Sequence, residues 1–596
     1  MAQKIPKVTV SIQGQDKPIV YRNLVVNQVV CGHHHFSFVW NVGTLNHDAG
    51  SQLNIIKNTI GATVSIQFDD NLFSGLITQV IVQEESGSSQ SFTIKGQSLT
   101  VFLDDVPRSS SYYKKNLQKI VKSTLEGIPS NVLKTSISPQ DGDEKHYISQ
   151  YNETDFQFLK RLATRYGEWF FYDGKEMVFG KPGDSEAVLK SGSNLTNYSI
   201  QANIKPTKYT LHSYDHHKGE AINKQLTGFS SSVKNDFASA AADKSKEVFT
   251  RSDDRPMHSF LTSNKKMIEA AVELENNRLA AQLFFAKGES KHHSLRPGYK
   301  FVVETVNGNY DFIATSVIHT SNVSGHYENS FIAVPATVKV PPYTDPLVYR
   351  EAGPQTAIVK DNYDKDGIGR IKVHFSWQKS NEMTPWVRVT TPHAGNEKGM
   401  HFIPEVDEEV LIDFEGGDVD KPFVIGSVYH GGAKSGKEDK DNTIKMMMTK
   451  SGNAIIFNDE EGSITVVDKK GSTIYIKGDD TIEVTSKTKV TVNSKDIEIN
   501  ADNNITLNAK KDIILKAQGK ITATAQQDVK VAASTGKASI EAMQDVAVKS
   551  GAGAVKIEAM TEFKAKGTIG ATIEGLKLDL KGTAMASLQA ALVKIN

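Results

Sequence analysis

The sequence predicts a mainly β chain: β-barrel domains with a few helices, a compact module the size of an OB-fold, and a C-terminal intertwined trimeric β-prism, a form of β-solenoid. Three observations predict it. A phrase of apolar, polar, apolar residues recurs with a period near eight over residues 482–596. Strand-like runs broken by Gly, Asn and Asp at hairpin spacing fill residues 8–103. Five more such runs crowd into residues 356–428.

In chain order, residues 1–103 form a first barrel, with strands expected at 8–12, 24–30, 36–40, 62–68, 75–81 and 91–94. Residues 104–198 form an α+β segment. Leu117, Ile120, Val121 and Leu125 make one helical stripe, and Phe158, Leu159 and Leu162 make another, opened by a capping box from Thr154 to Gln157. A strand over 168–172 then turns at Asp173 and Gly174.

Residues 199–345 form a second barrel, with an amphipathic helix near Met267 to Leu283 and strands at 300–304 and 309–313. No repeat in sequence links it to the first. Pro341, Pro342, Pro346 and Pro354 mark a boundary. Residues 346–432 hold the OB-sized module, with strands at 356–359, 369–375, 386–389, 410–414 and 423–428; 433–463 is a connector, Gly- and Lys-rich at its start; 464–596 is a needle with its tip.

The needle repeats itself. Ile482 and Val484, Val490 and Val492, Ile497 and Ile499, Ile505 and Leu507, Ile513 and Leu515, Ile521 and Ala523, and Val529 and Val531 are successive apolar pairs, with starts eight, seven, eight, eight, eight and eight residues apart. Period-two alternation puts both members of a pair on one face of a short strand, and the Asn, Asp, Lys and Gly between pairs supply turns. The pattern continues less tidily through Ile540, Val546, Val548, Val555, Ile557, Phe563, Leu576 and Leu578.

One strand per turn around its own thin core buries too little to offset the entropy of ordering it. Three copies lending one wall each to a common interior close every apolar face and pair the strand edges between chains. The core of a homotrimer is therefore expected at these pairs, Ile482 to Leu515 with Val529 and Val531. A single-chain β-helix is the alternative, but such helices have wider, more apolar turns of about 20 residues or more.

Composition narrows the function. Lys plus Arg and Asp plus Glu both equal 69 in 596 residues, so nothing global favours nucleic acid or an anionic membrane. The single cysteine, Cys31, leaves no intrachain disulfide framework, which fits assembly in a reducing cytoplasm. The start lacks the apolar run of a signal peptide, and about 18 consecutive apolar residues occur nowhere, so export is expected to need a dedicated machine.

Three blocks, 151–162 with Gly167, 364–373 with 385–389 and 403–410, and 416–423 with 425–431, together with the repeat resemble the VgrG spike family of type VI secretion systems and the equivalent spikes of contractile phage tails and extracellular injection particles. The resemblance implies a trimeric hub whose six barrels sit on a hexameric tube protein, an OB module, and a needle capped by a conical PAAR-repeat protein. It places the cap on Ala591, Leu592, Val593, Lys594, Ile595 and Asn596, and adds baseplate proteins and effectors as partners. The target membrane is met only transiently. The apolar residues after Leu580, among them Met585, Leu588 and Leu592, form a blunt end that should be covered. A trimeric receptor-binding fibre is the alternative function.

No chemistry is expected, and no cofactor. His33 to His35, the pair His216 and His217, and the pair His292 and His293 lack HExxH spacing and nearby paired cysteines. Asp361, Asp364 and Asp366 before Gly367 lack the spacing and closing Glu of a calcium loop. Glu405, Asp407, Glu408 and Glu409 read as a loop before a strand rather than a hydrolytic pair. An enzyme core does not fit into residues 432–463, and the repeat runs to Asn596, leaving no room for one after it.

Overall fold

The computed structural model describes residues 6–41, 49–85, 89–206, 208–226, 228–229, 236–250, 256–258, 264–322 and 326–595. It divides into two compact units: residues 1–469 with 474–483, and residues 470–473 with 484–596.

In the first unit one sheet of twelve strands dominates. Val8–Ile12, Thr63–Phe68, Asn71–Glu85, Ser89–Ser98, His35–Trp40 and Tyr21–Val29 follow one another across it, and Gly308–Ser321, Tyr327–Pro335, Phe284–Ser290 and Leu195–Ala202 continue it. The two strand-rich regions are thus joined edge to edge, with Val29 opposite Ser316 and Leu24 opposite Ser321. At the far edge the Ile19 amide donates to the Val10 carbonyl at 2.7 Å. Two separate cores result. Phe36, Phe38, Phe68, Phe73 and Phe92 fill the first, and Phe284, Phe301, Phe312 and Phe331 the second. Gly96 is required beneath Phe36, because a Cβ there would lie 2.4 Å from its ring and 2.1 Å from the Leu76 carbonyl.

The described residues hold the helices α1 (Ala49–Thr59), α2 (Leu117–Thr124), α3 (Asp155–Tyr166), α4 (Asp236–Val248) and α5 (Lys265–Ala281). Helix α3 has the expected capping box: Thr154 Oγ1 accepts the Gln157 amide, Gln157 Oε1 accepts the Thr154 amide, and Gly167 closes the helix in the left-handed region at φ 70°. Its stripe of Phe158, Leu159 and Leu162 is fully buried with Leu117, Ile120 and Val121 of α2. Helices α1 and α4 are additions to the sequence reading.

The OB-sized module pairs Lys372–Phe375, Gln355–Asp361, Glu409–Phe414 and Pro422–Ser427 in that order around Val359, Val373, Val410, Ile412 and Val424. The strand expected at 386–389 contributes only bridges, Val387 to Ile371 and Val389 to Val424. The module is bolted to α3 by a buried ion pair, Arg165 Nη1 to Asp420 Oδ2 at 2.9 Å, and to the strand Arg108–Asn116 by Gln378 Nε2, which donates to Ser111 Oγ at 2.7 Å.

The stretch 433–463, expected as a connector, differs from that reading. It carries the strands Ile444–Met448 and Ala454–Asn458, which open a five-stranded meander with Ser463–Val467, Thr473–Ile476 and Ile482–Thr485. Turns at Gly452 and Gly462, with φ 91° and 62°, space these strands.

In the second unit, residues 486–595 form neither helix nor strand within the chain.

Candidate assembly face

The meander supplies a continuous apolar surface, and its register defines it. Met447 lies opposite Ile455 and Ile455 opposite Val466; Lys445 lies opposite Phe457 and Phe457 opposite Ile464. Directly opposed residues share a face, so Met447, Ile455, Val466, Phe457 and Ile464 lie together with Lys445 at their margin. The other face carries Asn458, Ser463 and Thr465 beside Ile444, Met446, Met448, Ala454, Ile456 and Val467. Phe457, Met447 and Val466 are about two-fifths exposed. Ile474 and Ile476, which alternation puts on one face of the next strand, are exposed too.

Every residue named for the trimer core is exposed in the single chain, from 54% at Ile513 to 83% at Val531. At the tip, Ala591, Leu592, Val593, Lys594 and Ile595 are exposed as well, and Asn596 lies outside the described residues. Apolar side chains at this density in water mark a surface that associates. The meander part was missed in the sequence although its signal was present: alternation in 454–458, 463–467 and 473–476, with Gly at the turns.

The residues weighed for chemistry are committed elsewhere. His33 Nε2 meets Asp104 Oδ2 at 2.7 Å, and its Nδ1 meets Thr100 Oγ1 at 2.8 Å; Thr154 Oγ1 also donates to Asp104, at 2.5 Å. This Thr100, His33 and Asp104 chain has a nucleophile's order, but Thr100 is 2% exposed and hydrogen-bonded to Ser98, so the chain serves to tie the start of α3 to the sheet. His34 is fully buried, its pKa lowered to about 3 by burial. His293 faces Asp69 and Asp70, and the His216 ring lies tilted against that of His217 with centroids 4.3 Å apart.

Asp364 grips Arg370 through both carboxylate oxygens at 2.8 Å, which holds its pKa far below the usual carboxylate range, while Asp361 pairs with Lys372. Glu408 accepts the Glu405 amide and Asp407 pairs with Lys360, so these carboxylates shape a turn. Among the described residues no cluster of three or more His, Cys, Asp or Glu is arranged to hold a metal ion.

Two family models match the chain: the phage tail baseplate hub (GPD) over residues 48–324, and the type VI secretion system and phage-baseplate injector OB domain over 355–429. Among curated proteins, the type VI secretion system spike protein VgrG3 of Vibrio cholerae is 26% identical over 365 residues, 54% of this chain and 34% of that one. The actin cross-linking toxin VgrG1 of Vibrio cholerae is 25% identical over 392 residues, 59% of this chain and 35% of that one. The match therefore spans about a third of the length of either relative. Among solved structures, a chain of the lidded Francisella PdpA–VgrG complex aligns with a TM-score of 0.50 at 9% identity, covering 80% of this chain and 79% of that one. With a hub model over its first half, an OB-domain model after it and spike proteins among its relatives, this chain belongs to the VgrG-type spike family of type VI secretion and related contractile injection systems.

Proposed function

We propose that this protein is the non-enzymatic trimeric spike and hub of a contractile injection machine. In this reading the barrels of three chains seat on a hexameric tube protein within a baseplate, the OB modules link hub to needle, and the three repeats wind into a β-prism. A PAAR-type tip protein covers residues 591–596, and effectors ride with tip or tube. The spike assembles in the cytoplasm and leaves with the machine, crossing the target membrane only in the act of puncture.

The observation that carries this is the exposed apolar face of the meander followed by a period-eight series of exposed apolar pairs with no strand partner in its own chain. Backbone groups of such a series need a neighbour's edge and its side chains a neighbour's wall. The commitment of the histidines and carboxylates to structural partners supports a mechanical role.

The test is the double substitution Ile499→Asp with Leu507→Asp. In a shared core, carboxylates from three chains meet in dry layers, which is prohibitive unless they neutralise or the layers open. The expected result is loss of the SDS-resistant trimer of the parent protein; a double variant that runs as the same trimer overturns the shared core.

A further inference from the structure

Between α3 and the OB module lies a buried charge cluster. Asp420 is satisfied: Oδ2 takes Arg165 at 2.9 Å and Oδ1 the Ser149 amide at 2.6 Å. Two residues earlier Asp418 is 1% exposed, and its Oδ1 accepts the Asp420 amide at 3.1 Å, but its Oδ2 is buried without a hydrogen-bond partner. The backbone around it is clamped, with the Val419 amide on the Arg350 carbonyl and the Ala352 amide on Gly417. One guanidinium thus serves two buried carboxylates, and one of them holds an oxygen aimed at nothing.

The surrounding charges come from every element packed there. Helix α3 contributes Arg165 and Tyr166, and Arg161 beside Glu153; the turn itself contributes Glu415, paired with Arg388, and Lys421. Asp141, bound to Lys145, lies near Tyr166. His146 comes from the strand Glu144–Glu153, and Lys114 and Arg370 lie near it. His216 and His217 come from the tip of the hairpin formed by Thr210–Asp215 and Glu220–Gln225, His217 against Arg370 at 3.5 Å.

We propose that the turn 415–421 is a proton-operated latch between hub and OB module, closing as Asp418 takes up a proton and easing at lower pH when His216 at the hairpin tip charges. Burial, and then Asp420, push Asp418 up to about 6 against the opposing pull of Arg165. A folded value above the ordinary 3.8 means that the stabilisation is complete below about 3.8 and is lost as pH rises through about 6. His216 is held down to about 4, chiefly by burial and then by His217 and Arg388, so it stays neutral while Asp418 protonates. His146 is also lowered, by burial and then Lys421. The latch is tightest between the two titrations.

The test is hydrogen exchange of the full-length protein, read in peptides covering Ser149 and 415–421 and corrected for intrinsic exchange. Local exchange is the readout because the hub core carries its own acid-sensitive histidines. From the two Asp418 values, local opening should fall about tenfold between pH 7.5 and pH 5. Asp418→Asn should flatten that fall, whereas His216→Gln should keep it and lessen the rise in opening below about pH 4.5. Opening in the parent protein that is flat or rises on acidification to pH 5 overturns the latch whether or not the Asn variant folds, and so does a fall that vanishes in His216→Gln.

Discussion

Replacing Arg165 with Met removes the cation hydrogen-bonded to Asp420 and close to Asp418, leaving Lys421 as the remaining cation beside the two buried carboxylates. Arg165 and Asp420 are 8% and 7% exposed, and their contact is 2.9 Å. Without the guanidinium Asp420 keeps only the Ser149 amide, and Asp418 keeps only the Asp420 amide. Breaking a buried pair by removing one partner costs about 3–5 kcal/mol, mostly the penalty of the stranded charge. In a chain of several domains a single unfolding free energy is poorly defined, so the loss is best read locally. At pH 7.5, hydrogen exchange across α3 and 415–421 should speed up by about two to three and a half decades, since 1.36 kcal/mol is tenfold. The deficit should shrink at pH 5, where the stranded carboxylates take up protons. Arg165→Met combined with Asp420→Leu should recover part of the protection, because the Asp420 charge is then no longer stranded and only Asp418 is left without the guanidinium. A single variant within about tenfold of the parent, or a double variant as exposed as the single, refutes the claim that this ion pair fastens hub to module.

Two further outcomes follow from the hub. Thr154→Ala removes one half of the α3 capping box and the 2.5 Å bond to Asp104, so the first turn of α3 should lose about 1 kcal/mol of protection, read as faster amide exchange at Gln157; unchanged exchange there contradicts the cap. His34 and His319 are held down to about 3 by burial, His319 between Tyr327 and Gln28. A folded value below the ordinary 6.5 means full stability above about 6.5, lost as pH falls toward 3 at about 1.4 kcal/mol per pH unit for each histidine. The thermal midpoint of the hub should therefore drop steadily between pH 7 and pH 4, and a level profile contradicts the burial of these rings.

What was legible in the sequence is what depends on neighbours along the chain. The capping box of Thr154 and Gln157, the stripe Phe158, Leu159 and Leu162, and the turn at Asp173, whose Oδ1 takes the Lys175 and Glu176 amides, all rest on contacts within a few residues. The pairing of Leu24 to Val29 with Ser316 to Ser321 joins positions nearly three hundred residues apart, and no local pattern encodes it. Helix α4 was missed because its buried face is Ala238, Ala241, Ala242 and Ser245, small residues that make a weak apolar stripe. The meander was missed because the Gly- and Lys-rich stretch before it set the reading for the strands that follow. The repeat is the reverse case: its period is plain in the sequence, yet a period names a shared face without naming what covers it.

The mass of the full-length protein in solution, measured by light scattering across a range of concentrations, tests the central claim most directly. The shared core predicts a species at three times the chain mass of 65.4 kDa that does not dissociate on dilution. A folded, stable species at 65.4 kDa would contradict it, because the apolar pairs from Ile482 to Val531 would then stand in water with nothing to cover them.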